Sequence, residues 1–472
     1  MHPDPAHAAL AGDLARIVGP EHVLADPALK AGYETDWTGR HRGRALLVVR
    51  PATAAEVGAV LRACAAAAVG VVPQGGNTGL VAGATPAGEV VLSTTRIADL
   101  GPVDELAATV TVGAGATLES VQAHTAPSGL TPAVDLAARG SATIGGMVAT
   151  DAGGMHVVRH GSMRRQVLGI EAVLADGTCV GRVEGPARDS AGIHLPSILS
   201  GSEGTLAVVT RVRLRLVPAW RYRATALVAL DGIDAAVAAT ATLRRRLPDL
   251  DAIELVDEAS LALVGEHGRL AAPFRDGSPA TLLVETAADR STVDDLAAAL
   301  DGIAGARDAL LADDGPGRRR LWAFREGLTE AIAAAGVPHK LDVGLPLDRL
   351  GSFVGALGPL VGGIDPAARL FVFGHLAEGN LHVNVLGPAP EDDRIDDAIL
   401  ELVLEHGGAI SAEHGIGRAK ARWLSRARSP GELAIQAAIK HALDPGGLLN
   451  PGVLDPAGQP GEGIDRPGPD GH

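Results

Sequence analysis

Three glycine-rich segments in the first half of the chain limit its possible folds more than any other feature. They read QGGNTGLVAGA (74–84), GSATIGGMVATDAGG (140–154) and GSEGTLAVVT (201–210). Because glycine lacks a Cβ, backbone N–H groups in such loops can converge on an anion. One such loop would indicate only a tight turn, but three in one domain predict a long ligand that carries a polyphosphate. A Walker loop is excluded because no Gly-Lys pair occurs, and no GxGxxG follows a strand to open a helix.

Hydrophobic periodicity predicts a mixed fold with a boundary near Pro218. Before it, Thr53 is predicted to cap a helix ending near Ala68, and Asp176-Gly177 is predicted to form a hairpin turn. Strands are expected there at 46–50, 69–73, 90–94, 108–113, 168–175 and 205–217. Beyond it, helices are expected at 232–247, 291–302, 319–335 and 391–407, and strands at 223–230, 280–286, 339–345, 369–375 and 381–387. This order predicts an α+β domain with an antiparallel sheet.

Charge and composition exclude several classes of partner. The chain has 41 Lys and Arg against 56 Asp and Glu, a net charge of −15, which disfavours nucleic acid and anionic lipid. We expect no signal peptide, no transmembrane segment and a cytoplasmic location, with Cys64 and Cys179 reduced. The Pro- and Gly-rich tail 455–472 is predicted to be disordered.

The segment GHLAEGNLHVNV (374–385) suggests a metal site. Gly379-Asn380 predicts a strand, a tight turn and a returning strand, which would bring His375 and His382 together with Asn384 on the face of His382. Downstream, ISAEHGIGRAK supplies Glu413. Two imidazoles and one carboxylate form a three-ligand set with open positions, typical of catalytic zinc, although manganese or iron fit as well. The alternative is that these histidines are hydrogen-bonded structural residues.

A second group of residues could bind a carboxylate substrate. Arg325 and Thr329 lie four apart in LWAFREGLTEA, so a continuous helix would place them on one face. Lys340, one of only four lysines, begins the strand HKLDVGL. An isolated helix arginine is usually solvated, but so rare a lysine is harder to explain as surface charge.

The glycine-rich segments resemble the flavin-binding segments of the vanillyl-alcohol-oxidase/p-cresol-methylhydroxylase (PCMH) superfamily. With the C-terminal motifs, residues 45–453 are most similar to its FAD-linked D-2-hydroxyacid dehydrogenases, which oxidise D-lactate, glycolate or D-2-hydroxyglutarate. The resemblance implies a two-subdomain PCMH-type FAD-binding domain at 1–218, an antiparallel, ferredoxin-like substrate cap at 219–430, and a segment at 431–454 that returns to the FAD domain. It also implies FAD contacts at Pro73, Gly75, Gly76, Asn77, Thr78, Gly79, Leu80, Gly140, Ser141, Thr143, Gly146, Thr150, Gly153, Gly154, Glu203, Gly204, Val208 and Asn450. The flavin should be non-covalent, because the first loop lacks the histidine to which covalent members attach it.

The resemblance further implies residue roles. Arg325, Thr329 and Lys340 would hold the substrate carboxylate, His375, His382 and Glu413 would bind the metal, His414 would be the base, and Asn384 would orient substrate. The C2 hydride would then pass to the flavin. An electron-transfer flavoprotein, a quinone or a cytochrome is the expected acceptor, and a homodimer is left open. Two alternatives are a metal-dependent hydrolase, which would leave the glycine loops unexplained, and a flavin reductase with the same FAD domain, which would leave the metal set unexplained.

Overall fold

The computed structural model describes residues 5–455. They form two compact units: the first holds the described residues up to Gly153, Ser162–Ala219 and those from His414 onward, and the second holds Gly154–Gly161 and Trp220–Glu413. The first junction lies beside the predicted boundary at Pro218. The chain re-enters the first unit at 414, however, rather than at the predicted 431. Apart from Asp455, the predicted disordered tail lies outside the described residues.

The first unit contains two sheets. One has four strands in the order β1-β2-β4-β3, in which β2, β4 and β3 are parallel. The other is antiparallel, in the order β5-β6-β10-β8-β9, with β7 also paired to β10. The strands are β1 (Val23–Leu24), β2 (Val48–Val49), β3 (Val71–Gln74), β4 (Val90–Ser93), β5 (Leu100–Asp104), β6 (Thr109–Gly113), β7 (Leu130–Pro132), β8 (Val167–Val173), β9 (Cys179–Arg182) and β10 (Val208–Pro218).

Helices cover these sheets, and local signals in the sequence explain where several begin or turn. The helices are α1 (Pro5–Val18), α2 (Pro27–Glu34), α3 (Ala54–Ala66), α4 (Leu118–Thr125), α5 (Ile144–Thr150), α7 (Met163–Gln166), α8 (Leu195–Leu199), α16 (Leu424–Ala427) and α17 (Pro430–Leu443). The predicted cap of α3 is confirmed, because the Thr53 hydroxyl accepts a hydrogen bond from Glu56 N at 3.1 Å. The predicted turn between β8 and β9 is also confirmed, with Gly177 at φ 82°.

The second unit is built on one antiparallel sheet in the order β14-β11-β13-β12-β16-β17-β15, which confirms the predicted sheet type. Its strands are β11 (Tyr222–Leu230), β12 (Leu250–Asp257), β13 (Ala280–Ala288), β14 (Ala306–Ala312), β15 (His339–Gly344), β16 (Arg369–Gly374) and β17 (Asn380–Leu386). Apolar side chains of β11, β12, β13, β16 and β17 pack with Trp322, Phe324 and Leu328 in a single core cluster.

The helices of the second unit differ from the sequence prediction in one place that matters for the site. They are α6 (Val157–His160), α9 (Ile233–Arg246), α10 (Glu258–His267), α11 (Val293–Leu300), α12 (Gly315–Glu326), α13 (Leu328–Ala335), α14 (Leu350–Ile364) and α15 (Arg394–Glu405). The single helix predicted at 319–335 is therefore two helices joined at Gly327. No described helix is long and apolar enough to cross a membrane.

Candidate active site

The two histidines of GHLAEGNLHVNV meet as predicted. His375 follows β16, a short 3-10 turn ends at Gly379 (φ 71°), and His382 lies on β17 opposite Phe373 of β16. The left-handed turn position requires glycine in practice, since a Cβ there would meet Leu345 O at 2.0 Å. The centroids of the two imidazole rings lie 5.2 Å apart, and the ring planes are nearly perpendicular, with an angle of 87° between them.

Glu413 lies between these histidines. Its Oε1 is 3.3 Å from Nε2 of His375 and 3.5 Å from Nε2 of His382. Burial alone lowers the pKa of His375, but the carboxylates of Glu254 and Glu413 outweigh it and raise that pKa to about 10. The negative charge that favours a proton here equally favours a metal cation. The residues present therefore fit the metal that the sequence predicted.

Asp342 supports this site and has no assigned role in the sequence analysis. It is fully buried on β15, directly opposite His382 of β17, and its Oδ1 lies 3.5 Å from His382 Nδ1. The same carboxylate accepts hydrogen bonds from Asn380 Nδ2 at 2.6 Å and from the backbone N–H groups of Ala412 at 2.9 Å and Glu413 at 2.7 Å. Asp342 belongs to a potential metal cluster with His382, Glu413 and His414, a cluster that does not include His375. The donors named above already hydrogen-bond to both oxygens of Asp342. We therefore assign it to holding the turn that carries Glu413.

Glu254 is a second acid that the sequence analysis did not identify. It lies on β12 with only 1% of its surface exposed, and its oxygens contact His375 Nδ1 at 2.6 Å and Arg325 Nε at 2.7 Å. Burial alone raises the pKa of Glu254, but His375 and Arg325 outweigh it and lower that pKa, so the group is a carboxylate. Arg325 is consequently not the solvated helix charge that its position alone would suggest.

The remaining predicted substrate residues lie on the same unit. Lys340 of β15 is directly opposite Asn384 of β17, and His382 and Asn384 share one face because they are two residues apart on a strand. Burial lowers the pKa of Lys340 to about 8. Thr329 lies in α13, whereas Arg325 lies in α12. The continuous helix predicted to place both residues on one face is therefore interrupted at Gly327. Gly327 itself keeps right-handed helical angles, φ −72° and ψ −11°.

His414 follows Glu413 directly and is the first residue of the chain's return to the first unit. The preceding residue, Glu413, is held in place because its backbone N–H and that of Ala412 both donate to the Asp342 carboxylate. The proposed role of His414 as a base stays a prediction.

In the first unit, two of the three glycine loops pack against each other. A Cβ on Gly76 would lie 1.7 Å from Ser141 O, and one on Gly75 would lie 2.1 Å from Thr143 Oγ1. Asn77 has a φ of 51° and anchors its loop by donating from Nδ2 to Thr35 O at 2.8 Å. Within the described residues, nothing accepts a hydrogen bond from the backbone N–H groups of residues 75–79. Five uncommitted amides in a glycine loop fit the pyrophosphate of a dinucleotide.

Other predicted cofactor contacts also lie in the first unit, and their contacts with FAD stay predictions. Glu203 accepts hydrogen bonds from the N–H groups of Ile416 at 2.8 Å and Gly417 at 2.7 Å, so its carboxylate holds a protein loop. The side chain of Val208 is buried in the core cluster beside α3, and its contact with FAD stays a prediction. Pro73 lies on β3, and Leu80 and Gly204 lie in loops. The segment that contains α5 carries Gly140, Ser141, Thr143, Gly146, Thr150 and Gly153. Gly154, the next residue, belongs to the second unit.

Asn450 joins three parts of the first unit. Its Nδ2 donates to Gly83 O at 2.8 Å and to Glu203 O at 2.7 Å, and its backbone N–H donates to Val71 O at 2.8 Å. Its buried Oδ1 has no hydrogen-bond donor among the described residues. An unsatisfied buried carbonyl beside these loops is a further acceptor that a bound ligand can satisfy.

Comparison with known proteins finds two family models, one on each side of the junction at 219–220. Residues 45–181 match the family model of an FAD binding domain, and residues 220–454 match that of FAD linked oxidases, C-terminal domain. The mitochondrial D-2-hydroxyglutarate dehydrogenase of Bos taurus is 36% identical over 449 residues, covering 93% of this chain and 82% of that protein. The D-2-hydroxyglutarate dehydrogenase of Xanthomonas citri pv. viticola is 36% identical over 452 residues, covering 91% and 93%.

The solved structure of p-cresol methylhydroxylase with substrate bound has the same fold. It superposes with a TM-score of 0.77 at 15% identity and covers 95% of this chain and 96% of that one. The FAD binding match and this fold confirm a PCMH-type FAD-binding domain with an antiparallel-sheet domain. The identity to the dehydrogenases extends over nearly the whole of both chains. The chain therefore belongs to the family of FAD-linked D-2-hydroxyacid dehydrogenases.

Proposed function

We propose that this enzyme oxidises a D-2-hydroxy acid, with D-2-hydroxyglutarate as the preferred substrate, and that it requires a divalent metal. One observation carries the proposal: a single carboxylate, Glu254, joins the candidate metal ligand His375 to the candidate substrate-binding residue Arg325. A cationic side chain that binds a carboxylate, placed beside a site for a metal cation, suits a substrate whose hydroxyl is next to its carboxylate.

The protein's own residues would bind the substrate, orient it and take its proton. Arg325 and Lys340 form charge-assisted hydrogen bonds to the substrate, worth about 1.5–3 kcal/mol each. Thr329 and Asn384 orient it, and His414 accepts the hydroxyl proton, a contribution of roughly 10²–10⁴-fold in rate. His375, His382 and Glu413 would hold the divalent ion, zinc or else manganese or iron, which when bound supplies Lewis-acid polarisation of the hydroxyl. FAD, when bound in the first unit, supplies the two-electron acceptor.

The preference for D-2-hydroxyglutarate rests on the relatives. The two relatives at 36% identity carry the name D-2-hydroxyglutarate dehydrogenase.

An anaerobic panel of 2-hydroxy acids tests this proposal, with an artificial dye as electron acceptor. We expect the highest kcat/KM for D-2-hydroxyglutarate, a lower value for D-lactate, and no activity with L-2-hydroxyglutarate. If no D-2-hydroxy acid reduces the enzyme, the proposed function is wrong. A metal-dependent hydrolase leaves the FAD domain without a role, and a flavin reductase gives no role to the buried histidines.

We also propose that the flavin is non-covalent and that electrons leave to an electron-transfer flavoprotein, a quinone or a cytochrome. The first loop has no histidine to form a covalent link. Heat or acid precipitation should therefore release all flavin absorbance into the supernatant, and yellow precipitate would contradict this.

Lys340 predicts a pH dependence of substrate binding. Burial lowers its pKa from the usual 10.5 to about 8, so the ammonium form is present below that pH and is lost above it. Only the ammonium binds a carboxylate strongly. We expect the KM for D-2-hydroxyglutarate to rise by up to about 10-fold as pH increases through about 8, since roughly 1.4 kcal/mol corresponds to a factor of ten. Lys340→Arg should remove this rise, because arginine stays charged. A wild-type KM that is constant across this range would contradict the assignment.

A further inference from the structure

Glu254 connects two functional side chains that come from different elements. It belongs to β12, whereas His375 follows β16 and Arg325 lies near the end of α12. One oxygen contacts His375 Nδ1 at 2.6 Å and the other contacts Arg325 Nε at 2.7 Å. With 1% of Glu254 exposed, water does not compete for either contact. The two groups are therefore held by opposite ends of a single rigid carboxylate.

The contact with His375 fixes which ring nitrogen can bind a metal. A carboxylate only accepts hydrogen bonds, so Nδ1 of His375 carries a proton toward Glu254. The other nitrogen, Nε2, faces Glu413 Oε1 at 3.3 Å. A carboxylate behind a ligating imidazole fixes its orientation and makes it a stronger donor.

The contact with Glu254 leaves the two terminal nitrogens of the Arg325 guanidinium available to a substrate. Only Nε is bonded to Glu254, and no other hydrogen bond of this guanidinium occurs within residues 5–455. The guanidinium carbon also lies 4.8 Å from the centre of the Phe373 ring, which restricts its plane. The two terminal nitrogens are thus held in a defined orientation and can still donate hydrogen bonds. Bidentate binding of a substrate carboxylate requires both conditions.

From these contacts we propose that Glu254 is a positioning residue that sets metal affinity and substrate binding together. This inference rests on the proposed function, because it assumes that His375 binds the metal and Arg325 binds the substrate. Loss of the Glu254 charge should weaken both, since the imidazole and the guanidinium lose their shared partner. A buried ion pair that served stability alone would change neither in the folded enzyme.

Glu285 provides a matched control in the same sheet. It is also buried, at 2% exposure on β13, and pairs with Arg223 at 2.7 Å and with Trp322 Nε1 at 2.8 Å. None of its partners is a candidate metal ligand or substrate residue. Glu285→Gln therefore reports the cost of neutralising a buried carboxylate without disturbing the site.

The experiment uses FAD-loaded wild type, Glu254→Gln and Glu285→Gln after chelation and removal of the chelator. Zn²⁺ is titrated calorimetrically without substrate, Tm is recorded, and KM and kcat for D-2-hydroxyglutarate are measured after Zn²⁺ is restored. We expect Glu254→Gln to weaken Zn²⁺ binding by about 10–100-fold and to raise KM about 10-fold. Glu285→Gln should lower Tm and leave Zn²⁺ affinity and KM unchanged.

The outcomes separate this inference from the proposed function. Folded Glu254→Gln that binds Zn²⁺ as tightly as wild type overturns the inference alone, as does an equal loss of affinity in Glu285→Gln. Wild type that binds no Zn²⁺ or Mn²⁺ overturns the proposed function instead. If Glu254→Gln does not fold, Glu254→Asp keeps the charge but shortens the reach by one methylene. We expect that variant to weaken Zn²⁺ binding measurably, and unchanged affinity in it counts against the inference.

Discussion

His382→Ala should lower D-2-hydroxy acid oxidation by at least about 100-fold while the protein keeps its FAD. The substitution removes one of three candidate ligands and leaves an incomplete coordination shell. Flavin absorbance should persist, because the glycine loops belong to the first unit and His382 belongs to the second. Elemental analysis should show loss of bound metal, and Glu413→Gln should behave in the same way because a neutral amide is a poor ligand.

A control for this prediction is His339→Ala. His339 is a fully buried histidine of β15 in the same sheet, and its Nδ1 contacts Asp396 at 2.7 Å. Removing it should lower Tm but leave metal content unchanged. Full activity in metal-free His382→Ala would show that the GHLAEGNLHVNV hairpin is structural only.

Gly76→Ala should abolish FAD binding and lower Tm. A Cβ at this position would lie 1.7 Å from Ser141 O and 2.7 Å from Ser141 C, and both are backbone atoms that no rotamer change can move. The first two glycine loops would have to separate, at a cost of roughly 1–3 kcal/mol or more. We expect the variant to purify colourless and to regain no flavin absorbance on incubation with FAD.

Gly79→Ala tests whether the effect comes from the cofactor or from the fold. Gly79 lies in the same loop, but no atom of the described residues is within 4 Å of a Cβ built on it. Its Tm without FAD should therefore equal that of wild type, while its affinity for FAD should fall if the loop holds the pyrophosphate. A yellow, stable Gly76→Ala protein would contradict the placement of FAD in these loops.

The elements that the sequence predicted best are those with an uninterrupted local signal. The hairpin from β16 to β17 was predictable because two apolar strands flank a Gly-Asn pair, and α3 because Thr53 precedes an alanine-rich run. The helix at 319–335 was predicted as continuous because Gly327 sits inside an otherwise good helical pattern, and Gly327 does keep right-handed helical angles although the helix divides there.

Glu254 and Asp342 were not identified from the sequence because their roles depend on contacts with residues that are distant along the chain. The segment LDAIELVD, which forms β12, carries three acids in eight residues and so resembles an exposed loop. In the structure it is buried because distant residues pair with those acids: Arg223 with Asp251 at 2.8 Å, and Arg325 with Glu254 at 2.7 Å. Asp257 instead caps α10 by accepting from Ser260 N at 2.8 Å. The available signal in the sequence was an acid flanked by apolar residues within a strand, as Asp342 is between Leu341 and Val343.

The central claim is that reduction of the flavin by a 2-hydroxy acid needs the metal bound to the second unit. It is tested most directly by anaerobic mixing of chelated, FAD-loaded enzyme with D-2-hydroxyglutarate, followed by the visible absorbance of the flavin. We predict no bleaching until Zn²⁺ or Mn²⁺ is added, and rapid bleaching afterwards. Enzyme that elemental analysis shows to be metal-free, and that nevertheless bleaches at the rate of untreated enzyme, would contradict the account.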